Sequence, residues 1–437
     1  MQGRVIARPV PHREEIEVSV HPVDAERRPC PMLPAAAPAA APFAHGGDRA
    51  LRLVQASHAR LVALLHDACG RDDGFDRVFP GALGAVCIGA AGTPDASRAA
   101  AMARMLTDAA PGLPVAPVQM ALLGADVAPD DAVCEVWQCD AHDLRSERRG
   151  ALHYRYSEAA GLVFGSLVVH ETDAADVAYD APRDGGTPLE RATFDAYRAL
   201  FELLDTLGIP HPLRIWNTVP AINAVQFGIE RYRQFNIGRQ QAFDACRRAL
   251  TGGVPAACAL GSVVPVAGDA SPAAPLAIHF LASRTPADSI ENPRQVSAYH
   301  YPAQYGPRAP TFARAAAWAD GDAAPVLFVS GTASIVGHRT VHRGDVVAQT
   351  RETVANLAAV LEQAARQGHG PFSLADLGYR VYVRDAGDPA ALAAIGRVLR
   401  EAAGPHVRPL FVHADVCRDD LLVEIEASAG HAMEWLS

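Results

Sequence analysis

Glu424 is the residue in this chain best placed to do chemistry. It stands inside the apolar run Leu421-Leu-Val-Glu-Ile-Glu-Ala427. A carboxyl in such a run lies either on the wet face of a strand or in a pocket. In a pocket, burial disfavours the charged form and keeps the group protonated near neutral pH, which is what a general acid requires. Glu426 has the same side-chain parity, because strand residues alternate between faces, and spacing does not choose between the two. Cys417 comes seven residues before Glu424; it reads as a small buried hydrophobe or as a thiol beside that acid. A second cluster holds Tyr299, Tyr301, Tyr305, Arg308 and Arg314. Guanidinium forks suit carboxylates, and tyrosines add hydroxyl donors and flat apolar walls. The same residues could equally pack a connector. Arg231, Tyr232, Asn236 and Arg239 follow helical spacing, with both arginines on one face, and read as an interdomain salt-bridge face.

Other patterns argue against whole classes of chemistry. His338 and His342 have i,i+4 spacing but fall in a glycine-containing turn without a nearby third ligand, so no metal is expected there. The Gly331–Gly337 segment lacks the Gly-Lys-Ser/Thr ending of a phosphate loop. Eight cysteines are scattered with no CxxC pair, which indicates neither a zinc knuckle nor a disulfide framework. Cys134 and Cys139 read as reduced cysteines on or near a strand. A net charge of -10 and a pI near 5.9 lack the basic footprint of a nucleic-acid binder. No apolar run reaches the length of a membrane span, and the N-terminus lacks an apolar signal-peptide region. A cytoplasmic location is the expectation.

The elements that must position these residues follow from hydrophobic periodicity. At 437 residues the chain should form two or three units. Residues 1–47 contain the Pro/Ala-rich run Pro31–Pro42 and read as a disordered tail. Residues 48–150 read as an α/β region that could be a degenerate unit, with Leu51–Ala68 apolar at helical spacing and strands at Ala85–Gly89 and Ala132–Trp137. Residues 151–283 form a first unit: strand Gly161–Glu171, helix Leu189–Leu207, strand Leu213–Asn217, helix near Ile229–Leu250, and strands Ala257–Pro265 and Pro275–Ser283. Residues 284–324 read as a connector holding the Tyr/Arg cluster. Residues 325–437 repeat the order with strand Pro325–Gly337, helix Ala348–Gln367, strand Tyr379–Arg384, helix Pro389–Ala403, and strands Pro409–Ala414 and Leu421–Ala427. Two β-α-β-α-β-β units imply an α+β fold, mixed sheets with helices on one face.

That order, ending in Leu-Val-Glu-Ile-Glu-Ala, resembles the YjgF/RidA fold (chorismate mutase-like). In that family the last strand carries a Glu, matched by Glu424, and an upstream Arg grips a substrate carboxylate, matched by Arg408 if one residue is inserted. The runs Ser297–Arg308, Phe312–Arg314, Val329–His338, Gln349–Asn356 and Arg231–Arg239 look like the chorismatase family, whose members process chorismate without a cofactor on a RidA-like scaffold. The resemblance covers about 155–430. It implies Glu424 as the acid that protonates the enolpyruvyl methylene. Cys417 and Gly331 become subtype positions, a Cys pointing to 3-hydroxybenzoate and pyruvate and an aliphatic residue to a cyclohexadiene diol. Gly331 would leave room for the ring to shift. Arg308, Arg314 and Arg408 would hold the two carboxylates, with Tyr299, Tyr301, Tyr305 and Thr332 as further contacts. The implied function is a chorismatase making pyruvate and 3-hydroxybenzoate, with 4-hydroxybenzoate a further product to test for. The alternatives are a RidA-type enamine or imine deaminase and a catalytically silent small-molecule binder. The implied partner is a small molecule, with neither nucleic acid nor membrane, in a monomer or a RidA-like trimer.

Overall fold

Capping residues fix where the long helices begin. Pro188 opens one helix behind Thr187, whose side chain accepts from the Glu190 N–H; Asp345 and Asp388 cap two others in the same way. Each cap satisfies backbone donors that the first turn leaves free. The computed structural model describes residues 51–68, 74–89, 98–124, 132–171, 186–262, 275–321 and 323–436. The expected tail at 1–47 lies outside the described residues.

The first unit contains β1 (Leu51–Ser57), α1 (His58–Ala68), β2 (Ala82–Gly89), α2 (Arg98–Ala109), β3 (Val115–Gln119) and β4 (Ala132–Cys139). The middle unit opens on a meander, β5 (Arg145–Arg149), β6 (Leu152–Ser157) and β7 (Leu162–Val169). It continues as α3 (Pro188–Leu207), β8 (His211–Pro220), α4 (Arg231–Ala245), β9 (Ala256–Ser262) and β10 (Leu276–Ser283). The C-terminal unit contains β11 (Asp288–Ile290), β12 (Ala315–Trp318), β13 (Val326–Ala333), α5 (Val346–Arg366), β14 (Gly378–Val383), α6 (Pro389–Ala403), β15 (Leu410–His413) and β16 (Val423–Ala429). A final strand, β17 (Ala432–Leu436), leaves that unit and pairs in parallel with β1.

The middle sheet runs β9-β8-β10-β7-β6-β5, and the C-terminal sheet runs β15-β14-β16-β13-β12-β11, with the two-residue strand Leu122–Leu123 added antiparallel at the β15 edge. In each, the first two strands are parallel and the next pairings antiparallel. The two sheets therefore share one topology, and the fold is α+β with repeated β-α-β-α-β-β units. The sequence suggests two such units; the structure adds the same strand order, β3-β2-β4-β1, within 51–139.

Two local expectations differ from what is seen. Leu51–Ser57 is a strand, and helix begins only at His58. Pairing with β4 and β17 on both edges overrides the local helical spacing. The segment 284–324 is also not wholly connector, because β11 and β12 extend the C-terminal sheet. The Ala315-Ala-Ala-Trp run that forms β12 carries little strand signal of its own.

Helices α3 and α4 cover one face of the middle sheet through Tyr197, Phe201, Phe235 and Phe243. The opposite strand faces turn inward: Trp137, Phe164, Trp216, Phe328 and Tyr382, drawn from all three units, share one buried core. Cys134 and Cys139 are buried free thiols on β4.

Candidate active site

The central strand of the C-terminal sheet, β16, is buried on both faces. Glu424 and Glu426 are only 3% and 6% exposed, which settles the opening alternative in favour of burial. Their parity is the same but their surroundings are not. Glu426 accepts from Trp216 Nε1 at 3.2 Å and ion-pairs with Arg380 at 2.8 Å and with Arg214. Burial opposes its charge, but Arg380 and Arg214 outweigh burial and hold its carboxyl below the usual range. Glu424 has no such cations in contact. Burial, reinforced by the charge of Glu426, pushes its carboxyl up to about 8, against smaller opposing effects of Arg214 and Arg314. Two glutamates on one strand face are thus driven apart, one ionised and one neutral at pH 7, as acid catalysis requires.

Glu424 opens onto a cavity of about 550 Å³, within the range of small-molecule sites. The cavity lies between the C-terminal sheet and the N-terminal end of α4, which contributes Tyr232 and Arg233. A bulge in the β13–β16 pairing sets Ser330 and Gly331 opposite the acid strand. A Cβ on Gly331 would overlap a carboxyl oxygen of Glu424. The missing side chain therefore makes room for the acid itself, where the sequence suggests room for a shifting ring.

Cys417 lines the same cavity, with its Sγ 3.9 Å from Glu424 Oε2. Burial, then the neighbouring Glu424, pushes its thiol up to about 12, so it faces the acid as a neutral S–H donor. The loop bearing Cys417 is tightly held. Arg384 donates to the carbonyls of Val416, Arg418 and Leu421, and to Asp415 Oδ1 at 2.6 Å. Gln349, from the N-terminal turn of α5, donates to the Asp420 carbonyl and accepts from the Leu422 N–H.

Arg314 faces the acid from the start of β12. It is 4% exposed. Its Nη2 donates to Tyr301 OH at 2.8 Å and to the Val296 carbonyl at 3.0 Å. Its Nε is buried with no partner. Among the described residues no carboxylate ion-pairs directly with it; Glu291 feels its charge at longer range, and the guanidinium lines the cavity. Arg418 lies over the Tyr305 ring at 4.2 Å and also lines the cavity. In all, five arginines line it: Arg233, Arg314, Arg339, Arg343 and Arg418. With Glu424 neutral, they face only Glu230, Asp419 and Asp420. Glu230 is taken by Arg233 at 3.2 Å and Asp420 by Arg343 at 3.0 Å. The surplus of positive charge suits a ligand with two carboxylates.

The cavity gathers Glu424, Cys417, Tyr301, Tyr305, Arg314 and Gly331. The other sequence candidates do not line it. Tyr299 sits beside Glu291. Arg308 is exposed. Thr332 is buried, its hydroxyl donating to the Ser330 carbonyl at 2.8 Å. Arg408 is exposed in the loop before β15, and the buried cation facing the acid is Arg314. Tyr232 reaches the cavity, whereas Arg231 binds Glu171 and the Pro220 carbonyl, and Arg239 stacks over Phe235. Arg339 and Arg418 escaped the sequence reading; for Arg418, adjacency to Cys417 was the available signal. His338 meets Tyr305 OH, and His342 meets Glu352. Among the described residues no group of three or more His, Cys, Asp or Glu is arranged to hold a metal ion, and no helix is long and apolar enough to cross a membrane.

Fused α+β units thus enclose, around one cavity, a neutral carboxylic acid and a guanidinium with no ion-pair partner among the described residues. A family model described as "Chorismatase FkbO/Hyg5-like, N-terminal" matches residues 135–282. A 3-hydroxybenzoate synthase of Streptomyces hygroscopicus is 38% identical over 313 residues, 69% of this chain and 82% of its own length. A chorismatase of Streptomyces rapamycinicus is 38% identical over 242 residues, covering 54% of this chain and 68% of that one. A chorismatase crystal structure superimposes with a TM-score of 0.64 at 28% identity, over 88% of this chain and 99% of the other. The chain belongs to the chorismatase family, and it is an enzyme.

Proposed function

We propose that this enzyme converts chorismate to pyruvate and 3-hydroxybenzoate. The observation that carries the reading is a neutral Glu424 and a buried Arg314, which has no ion-pair partner among the described residues, lining one cavity. The names of the two Streptomyces relatives support the same substrate and product. Chorismate has two carboxylates, matching the charge surplus of the lining. Arg314 with Tyr301 takes one, and Arg339 and Arg418 take the other.

Glu424 gives its proton to the methylene carbon of the enolpyruvyl ether. The adjacent carbon becomes oxocarbenium-like, and breaking the ring C–O bond releases pyruvate. The neighbouring ring hydroxyl oxygen then moves onto the vacated carbon. The hydrogen on that carbon leaves as a proton, restoring the acid and the aromatic ring. Chorismate and the product pair contain the same atoms, so neither an oxidant nor a reductant enters the balance. Cys417, as a neutral thiol beside Glu424, stands where a donor could guide the oxygen shift rather than attack by water. The test is incubation of purified protein with chorismate and no added cofactor, with assay of pyruvate and aromatic acids. Release of both supports the reading, and absence of pyruvate ends it.

A further inference from the structure

We propose that Glu426 is a positioning residue for the acid Glu424, and that Glu135 acts on the same site from the N-terminal unit through Arg380. The inference rests on the reading of Glu424 as the proton donor. The observation is a buried line of alternating charge that joins three sheets. Glu135 on β4 is 3% exposed and ion-pairs with Arg380 on β14. Arg380 reaches Glu426 on β16 at 2.8 Å, and Glu426 in turn pairs with Arg214 on β8. Gln55 holds the other oxygen of Glu135 at 2.9 Å, and Arg214 also donates to the Val329 carbonyl at 3.2 Å.

Burying four charges gains a fold little, because each ion loses several kcal/mol of hydration that pairing only roughly repays. What the line does provide is a fixed negative charge two residues from Glu424, on the same strand face. The other groups on that side carry no charge that could replace it. The Cys258 thiol, beside Gly331 and Glu426, is pushed up by burial and then by Glu426, and stays neutral. Tyr382 is raised by burial. His279, stacked on Trp216 at 4.9 Å, is pulled down to about 3 by burial and then by Arg380, and is also neutral. On the cavity side Glu424 meets Cys417, and Tyr232 and Arg314 line the same cavity without touching Glu424. The raised Cys417 and Tyr232 stay neutral; Arg314 and, from the other side, Arg214 oppose protonation, and Arg233, Arg339, Arg343 and Arg418 line the rest of the cavity. Like charge favours the neutral form of a carboxyl and opposite charge the ionised form. Burial comes first in keeping Glu424 neutral, and the ion line adds the like charge that reinforces it against Arg214 and Arg314.

The test uses signs. Glu426→Gln removes the negative charge and leaves Arg380 and Arg214 uncompensated. The alkaline limb of the kcat/KM profile then moves down by about one pH unit or more. Glu135→Gln frees Arg380 and moves the limb the same way by less. Arg380→Met leaves both carboxylates less neutralised and moves it up. A purely structural role lowers activity or melting temperature without such opposite shifts. Infrared difference titration of the protonated carboxyl band, read against Glu424→Gln, follows the same proton without turnover. Turnover in the wild type with an unmoved midpoint in the variants overturns the inference and leaves the reaction reading intact. Absent turnover with opposite infrared shifts does the reverse. Where Glu426→Gln fails to fold, Glu135→Gln and Arg380→Met, at the remote end of the line, still give the two signs.

Discussion

The middle and C-terminal sheets have the same strand order and the same parallel and antiparallel pairings, yet only the C-terminal one carries buried acids on its central strand. At the centre of the C-terminal sheet β16 presents Glu424 and Glu426 to the interior. The equivalent strand of the middle sheet, β10, presents His279, whose ring nitrogens are buried without a hydrogen-bond partner among the described residues. The middle unit instead lends its inward side chains to its neighbour: Arg214 and Trp216 to Glu426, and Tyr232 to the cavity. One fold thus serves twice, once as the bearer of chemistry and once as its wall. The difference lies in which strand meets a cleft and which residues arrive from the other unit.

The sharpest way to break this contrast is Glu424→Gln, which should lower kcat by about a thousandfold, the scale of general acid catalysis. Binding of an unreactive dicarboxylate analogue, measured by calorimetry, should change by no more than about threefold, since the neutral amide resembles the neutral acid. Arg314→Met should cost roughly 10- to 100-fold in kcat/KM, from losing a charge-assisted contact, mostly as a higher KM. Dependence on pH sharpens it further. With a carboxyl near 8, turnover should be flat below that value and fall about tenfold per pH unit above it. The same group links to stability. Folding raises its pKa from 4.5 to about 8, so its stabilising contribution is full below about 4.5 and is lost as pH rises through about 8. Chemical denaturation of Glu424→Gln should lack that slope. Cys417→Val removes the S–H donor beside the acid, and chromatography should show product diverted toward the dihydrodiol. An unchanged product ratio would remove Cys417 from the selectivity argument. The smallest effect is expected at the other sheet: His279→Leu swaps one neutral side chain for another and should keep kcat within about twofold, with the same alkaline midpoint.

Much of this was legible from local pattern. Helix and strand periodicity marks the repeated units because each element buries one defined face. The apolar run around Glu424 is visible in the same way. Strand spacing does not choose Glu424 over Glu426, and only the family resemblance pointed to Glu424, because the difference is made by Arg214, 212 residues away, and by Arg380 on a neighbouring strand. Arg408 looked suitable by position in a family pattern, but its loop faces solvent. The buried cation came from the segment that read as a connector, where the short alanine strand β12 delivers Arg314. Tyr301 and Tyr305 turn into the cavity while Tyr299 turns away, a distinction set by the two single-turn 3-10 helices Ala298–His300 and Ala303–Tyr305.

The fusion of three like units into one chain has a hereditary consequence. In an assembly of identical copies, every codon change is repeated at each symmetry-related interface. Here a change is written once. Glu424, Arg214 and Glu135 could be acquired separately, each at one interface, without a burden elsewhere. Such a molecule should hold a single ligand per polypeptide, a stoichiometry that calorimetric titration checks.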